Sequence, residues 1–90
     1  MLTMIRDRIR KIRESAGLSR RELEKLTGVE EYKWGNIEKG TQKVNEDHIE
    51  AITKQWPEYA FWLVTGKTIP EAGQVSPELE ETRQKLGQAG

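Results

Sequence analysis

The sequence predicts an all-α fold of five helices followed by an arm and a short terminal helix, and three observations carry that reading. Apolar residues recur at three- and four-residue intervals, as in Ile5, Ile9 and Ile12 and again in Ile49, Ile52 and Trp56, the spacing that lines one face of a helix. Helix starts and stops are marked, with Ser19, Asn45 and Ser76 as caps and Gly17, Gly28, Gly40 and Gly66 as ends. No segment carries a strand signal.

The first helix is expected from about Thr3 to Ala16, with Arg6, Arg10 and Arg13 along its flank and Gly17 stopping it. The second has the most fully specified start in the chain: Ser19 caps it, Glu22 completes a capping box, and Leu18 is placed to staple onto Leu23. Leu23 and Leu26 give it an apolar edge, Gly28 supplies a left-handed turn, and Val29 enters the core behind that turn. The third helix, roughly Glu30 to Lys39, points Trp34 and Ile37 inward and leaves Glu31, Tyr32, Lys33 and Asn36 outside. After a loop over 40–44, Asn45 caps a fourth helix whose buried edge is Ile49, Ile52 and Trp56, with Glu46 and Asp47 at its positive end and His48 on its exposed side. Pro57 starts the fifth helix, and Tyr59, Phe61, Trp62, Leu63 and Val64 make it the most apolar stretch before Gly66. Residues 67–77 read as an arm packed over the domain through Ile69 and Val75. Ser76-Pro77-Glu78-Leu79 then opens a short polar helix to about Leu86, and residues 87–90 are expected to fray.

Ninety residues make one small domain with a modest core and leave no length for a second, catalytic one. A third of the residues are charged and no run approaches the ~20 apolar residues of a membrane span. The first residues lack the pattern of a signal peptide, and the absence of cysteine suits a reducing compartment, so a cytoplasmic protein is expected. Net charge is zero but unevenly spread. Residues 1–21 hold seven basic side chains against two acidic ones, whereas residues 22–50 hold four against eight. A local basic patch can attract a polyanion even on a neutral protein.

Chemistry-bearing constellations are few. His48 is the one histidine, and a single histidine without a second ligand gives no metal site. Residues 35–41 mimic the outer glycine spacing of a phosphate loop but lack its lysine and fall in a helix. Ser15, Ser19 and Ser76 have helix-end roles. No enzyme, cofactor, metal or small-molecule ligand is expected.

The window Gly17-Leu18-Ser19, Glu22-Leu23, Leu26-Thr27-Gly28-Val29 and Ile37-Glu38-Lys39-Gly40 resembles the Cro/cI-type (Xre) helix-turn-helix family of phage and bacterial transcription regulators. With the flanking helices the resemblance covers about residues 5–56. Trp34 stands where the family usually has a smaller aliphatic residue, and Gly35, Glu30 and Glu31 are further departures. The resemblance implies a lambda-repressor-like DNA-binding domain over residues 1–66, with the helix-turn-helix at 19–39, and residues 67–90 as an arm and candidate dimerisation element.

It also implies roles. In this family the third helix enters the major groove, so Glu31, Tyr32 and Asn36 are the expected base readers. Asn36 is the sharpest of these, because a carboxamide can pair with both N7 and the amino group of adenine. Arg20 and Arg21 at the start of the second helix, Lys33, and Thr41, Gln42 and Lys43 after the third are the expected phosphate contacts. Arg13 and Glu38 match a pair that joins the first helix to the third. Tyr59, Phe61, Trp62 and Ile69 are the dimerisation candidates. The implied protein is a sequence-specific repressor of phage or prophage type that binds double-stranded operator DNA as a homodimer. The rival readings are an antitoxin-like DNA-binding partner protein and a helix-turn-helix fold turned to protein binding, the latter on the strength of the acidic start of the third helix.

Overall fold

Capping chemistry sets the helix boundaries. The computed structural model describes residues 4–88, and among them the helices are α1 (Ile5–Ser15), α2 (Arg20–Thr27), α3 (Glu31–Lys39), α4 (Glu46–Gln55), α5 (Ala60–Thr65) and α6 (Pro77–Gln88), with single 3-10 turns at Pro57–Tyr59 and Pro70–Ala72. Thr3 and the last two residues, on which the expected first-helix start and terminal fraying partly fall, lie outside the described residues. Helix α6 continues through residues 87 and 88, where fraying was expected to begin. The fifth helix opens on a 3-10 turn at Pro57, with the α-helical part starting at Ala60. No helix among the described residues is long and apolar enough to cross a membrane.

The core joins every helical layer. Ile9 and Ile12 of α1, Leu23 of α2, Trp34 and Ile37 of α3, Ile52 of α4, Tyr59 of the first 3-10 turn and Trp62 and Leu63 of α5 are buried together, and Val75 of the arm completes the set. Leu26 corrects the apolar edge expected of α2: it is 46% exposed. Three residues on from Leu23 it falls about 60° short of a full turn, at the edge of the face that α2 packs against its neighbours.

His48 is likewise corrected, being buried rather than exposed. Its Nδ1 accepts from the Asn45 amide at 3.1 Å while its own amide donates to Asn45 Oδ1 at 3.2 Å, so the imidazole closes a capping box in the place a glutamate usually takes. The ring packs against Trp34 with centroids 5.7 Å apart.

Arg8 is a buried charge that apolar spacing does not reveal, since an arginine beside the Ile5, Ile9, Ile12 stripe reads as a flank residue. Its Nε donates to the Leu63 carbonyl at 2.8 Å and Nη2 to the Val64 carbonyl at 3.4 Å. A guanidinium there satisfies the last carbonyls of α5 and meets the negative end of its dipole.

The arm is built into the domain. The Val75 amide donates to the Glu58 carbonyl at 2.9 Å, and Gln74 donates from Nε2 to the Pro57 carbonyl while its Oε1 accepts from the Phe61 amide. Gln74 thereby caps a free amide in the first turn of α5. Ile69 and Gln74 pair across a tight antiparallel bridge, and Val75 is 2% exposed. From Pro77 onward α6 runs beside α1, with Lys11 Nζ 3.7 Å from Glu78 and the Ser15 hydroxyl 3.5 Å from Glu81.

Candidate nucleic-acid interface

The geometry of α3 starts from the turn before it. Ser19 Oγ accepts from the Glu22 amide at 3.1 Å and Glu22 Oε1 accepts from the Ser19 amide at 2.9 Å, closing the capping box that starts α2. That backbone hydrogen bond holds the Glu22 carboxyl below the usual range. Gly28 ends α2 with φ at 78°, a left-handed value that suits glycine. Behind it the Thr27 hydroxyl is a hub: it donates to the Leu23 carbonyl at 2.7 Å and accepts from the Val29 amide and from Trp34 Nε1, each at 3.2 Å. The indole N–H that a tryptophan brings into a core is thus satisfied within the turn itself. Glu24 of α2 accepts from the Glu31 amide at 2.8 Å, which satisfies a free amide in the first turn of α3.

From the other side α3 is held by charge. Arg13 donates from Nε to Glu38 Oε2 at 2.8 Å and from Nη2 to Glu38 Oε1 at 3.0 Å, and its Nη1 donates to the Leu18 carbonyl at 2.7 Å. The hydrogen bond to Glu38 raises the Arg13 pKa against the opposing effect of burial. Arg20 adds a third bond, Nε to Glu38 Oε1 at 3.1 Å. The Glu38 side chain is 1% exposed, that of Arg13 12% and that of Arg20 41%. Arg20, expected as a phosphate contact, thus turns its Nε inward to the buried carboxylate while its side chain stays partly exposed.

The outer face of α3 gathers with the start of α2. Arg20 and Arg21 from α2 and Glu31, Tyr32, Asn36 and Lys39 from α3 line one shallow concavity. Tyr32 is 60% exposed. Lys39 is a member that sequence reading left out, although it stands one turn beyond residues 35 and 36 on the same face. Lys33 is half-buried and sits 3.4 Å from Glu30, which offsets part of the acidic charge at the α3 start.

Thr41, Gln42 and Lys43 follow a second grouping. The amides of Thr41 and Gln42 both donate to the Asn36 carbonyl, as does the Thr41 hydroxyl. Gln42 and Lys43 line a groove with Arg6 and Gly40. The Arg6 guanidinium lies so close over Gly40 that a side chain at residue 40 would collide with it. Gly40 has φ at 85°, a left-handed value that suits glycine, whereas the flexible Arg6 side chain could move aside.

Of the four aromatic and aliphatic residues expected at a dimer contact, Tyr59 and Trp62 are buried in the chain's own core, whereas Phe61 and Ile69 are half-buried. Burial and the nearby Glu58, Glu80 and Glu81 push the Tyr59 hydroxyl upward in pKa. Val64 of α5 and Leu86 of α6 are strongly exposed apolar side chains.

A short helix held from behind by a hydroxyl hub and a buried ion cluster, with its polar face outward and arginines at its flank, defines a helix-turn-helix regulator. The chain belongs to the helix-turn-helix domain family, which it matches over residues 5–54. It is 35% identical over 81 residues to Repressor protein C of Escherichia phage P2, covering 88% of this chain and 82% of that protein. Its structure is similar to that of Pf6r from the filamentous phage Pf6 of Pseudomonas aeruginosa PA01, with a TM-score of 0.71 and 28% identity over 84% of this chain and 97% of that one. The phage-type character expected from the sequence is shown by these two relatives.

Proposed function

We propose that the protein is a sequence-specific transcription repressor that binds operator DNA as a homodimer in the cytoplasm and blocks a promoter by occupying it. The observation that carries this reading is the concavity in which Arg20, Arg21 and Lys39 flank Tyr32, Asn36 and Glu31. Charged donors for phosphate and side chains for base edges are brought there to one face of the α2–α3 pair. Asn36 reads a base, Glu31 accepts from a cytosine amino group, and Arg21, Lys39, Lys43 and Arg6 meet the phosphates on either side. The phage P2 relative, a repressor by name, supports the same direction. Two copies on an inverted repeat, with half-sites about one helical turn or roughly 10 base pairs apart, give the reading length that one short helix lacks.

Glu30 and Glu31 open α3 and the Glu24 carboxylate accepts from the Glu31 amide, and this acidic start favours a second reading in which the face binds a basic protein. Selection from random duplex DNA with the purified protein separates the two. Enrichment of a partly palindromic sequence is the result expected of a repressor, and failure to enrich any sequence at low salt rejects it.

A further inference from the structure

Glycine is, after proline, the residue a helix interior least tolerates, and Gly35 stands at the midpoint of α3. The backbone does not require it there, since Gly35 is not among the glycines with positive φ. Packing does not require it either. A Cβ at residue 35 would meet only Arg20 Cδ at 3.7 Å, an ordinary contact with a flexible side-chain stem. Fold stability alone therefore favours alanine at this position. Its surroundings supply a reason for glycine: Gly35 lies in the concavity between Arg20, Arg21, Tyr32 and Asn36, on the face where α3 would approach a groove.

Resting on the DNA-reading function proposed above, we infer that Gly35 is a specificity-determining residue whose bare Cα admits the C5-methyl group of one thymine. The backbone of residue 35 belongs to the helix ladder, so the position offers apolar surface and no free donor or acceptor. Among the base edges of the major groove, the thymine methyl is the feature that matches such a surface. A methyl side chain at residue 35 would occupy the same space.

The test pairs Gly35→Ala with deoxyuridine, which lacks that methyl. A duplex is first selected with the parent protein, and each thymine in it is then replaced singly. The variant should melt about 5 °C higher, as expected for removing a helix-interior glycine, yet bind the selected duplex about tenfold more weakly. Deoxyuridine at one position should weaken the parent and restore the variant. Equal binding by variant and parent, or a loss that no single deoxyuridine restores, overturns the inference while leaving DNA reading intact. A lower melting temperature overturns it too, by showing that the fold needs the glycine. Failure of the parent to select any duplex overturns the DNA-reading function and this inference with it.

Discussion

Glu38 carries a negative charge into a site where its side chain is 1% exposed, and two arginines follow it there. Burial of an ion is sustainable when its lone pairs are taken up by charged donors, and three N–H groups do this here. Arg13→Met removes the more buried partner but leaves Arg20 in place, so the loss should fall at the low end for a broken buried pair, about 3 kcal/mol. Adding Glu38→Leu should recover part of it. Thermal melts of the four variants measure the coupling, and additive losses would show that the two side chains act independently. His48 poses the opposite problem. Burial, reinforced by Lys33 and opposed by Asp47, holds its imidazole below the ordinary 6.5, and the fold uses the neutral ring because Nδ1 must accept from Asn45. That contribution is complete above the unfolded value and is lost as pH falls through the lower folded one. Denaturant melts at about pH 7 and about pH 5 should therefore show a larger loss for the parent than for His48→Gln, which keeps an acceptor and does not titrate. On the outer face, Asn36→Ala should cost about 1–3 kcal/mol on the best operator and relax preference at one base pair. A single-base operator library bound equally by both proteins would contradict this.

At the level of the helix pair, Thr27 ties the end of α2 to the turn and to Trp34 of α3. Thr27→Val keeps the shape but leaves the Val29 amide and Trp34 Nε1 without their acceptor, which should cost about 1–3 kcal/mol in urea melts. A neutral result would mean that both donors reach water. This unit also shows why some elements are legible in a sequence and others are not. The α2 start was readable because its capping box spans four adjacent residues, and Trp34 and Ile37 were readable because helical spacing is local. Arg8 was not, since the carbonyls it meets lie 55 and 56 residues away. The bond from Arg20 to Glu38 was not legible because that anion is 18 residues distant, and the burial of His48 was not because it depends on a tryptophan from another helix. Family pattern brought Arg13 and Glu38 together where spacing alone could not.

Across the whole molecule, residues 67–77 lie closer to the core than a detachable arm would. Val75 is nearly inaccessible and Gln74 caps α5, so a chain ending at Gly66 should melt lower at every protein concentration. A loss seen only on dilution would instead assign the segment to dimer formation. Charge is also distributed on this scale. The basic first 21 residues reach the candidate interface through Arg6, Arg20 and Arg21, while Glu30 and Glu31 bring the opposite charge to the start of α3. Because Glu30 sits 3.4 Å from Lys33, Glu30→Gln should release that lysine and tighten binding to every duplex. Glu31→Gln should raise nonspecific affinity and blur one base pair. The most direct measurement is therefore a titration of the parent and these two variants against the selected operator and a scrambled duplex at several salt concentrations. The account predicts a parent that prefers the operator, with the logarithm of its affinity falling linearly in log salt and Glu30→Gln above it on both duplexes. No binding to either duplex by any of the three proteins at low salt would contradict it.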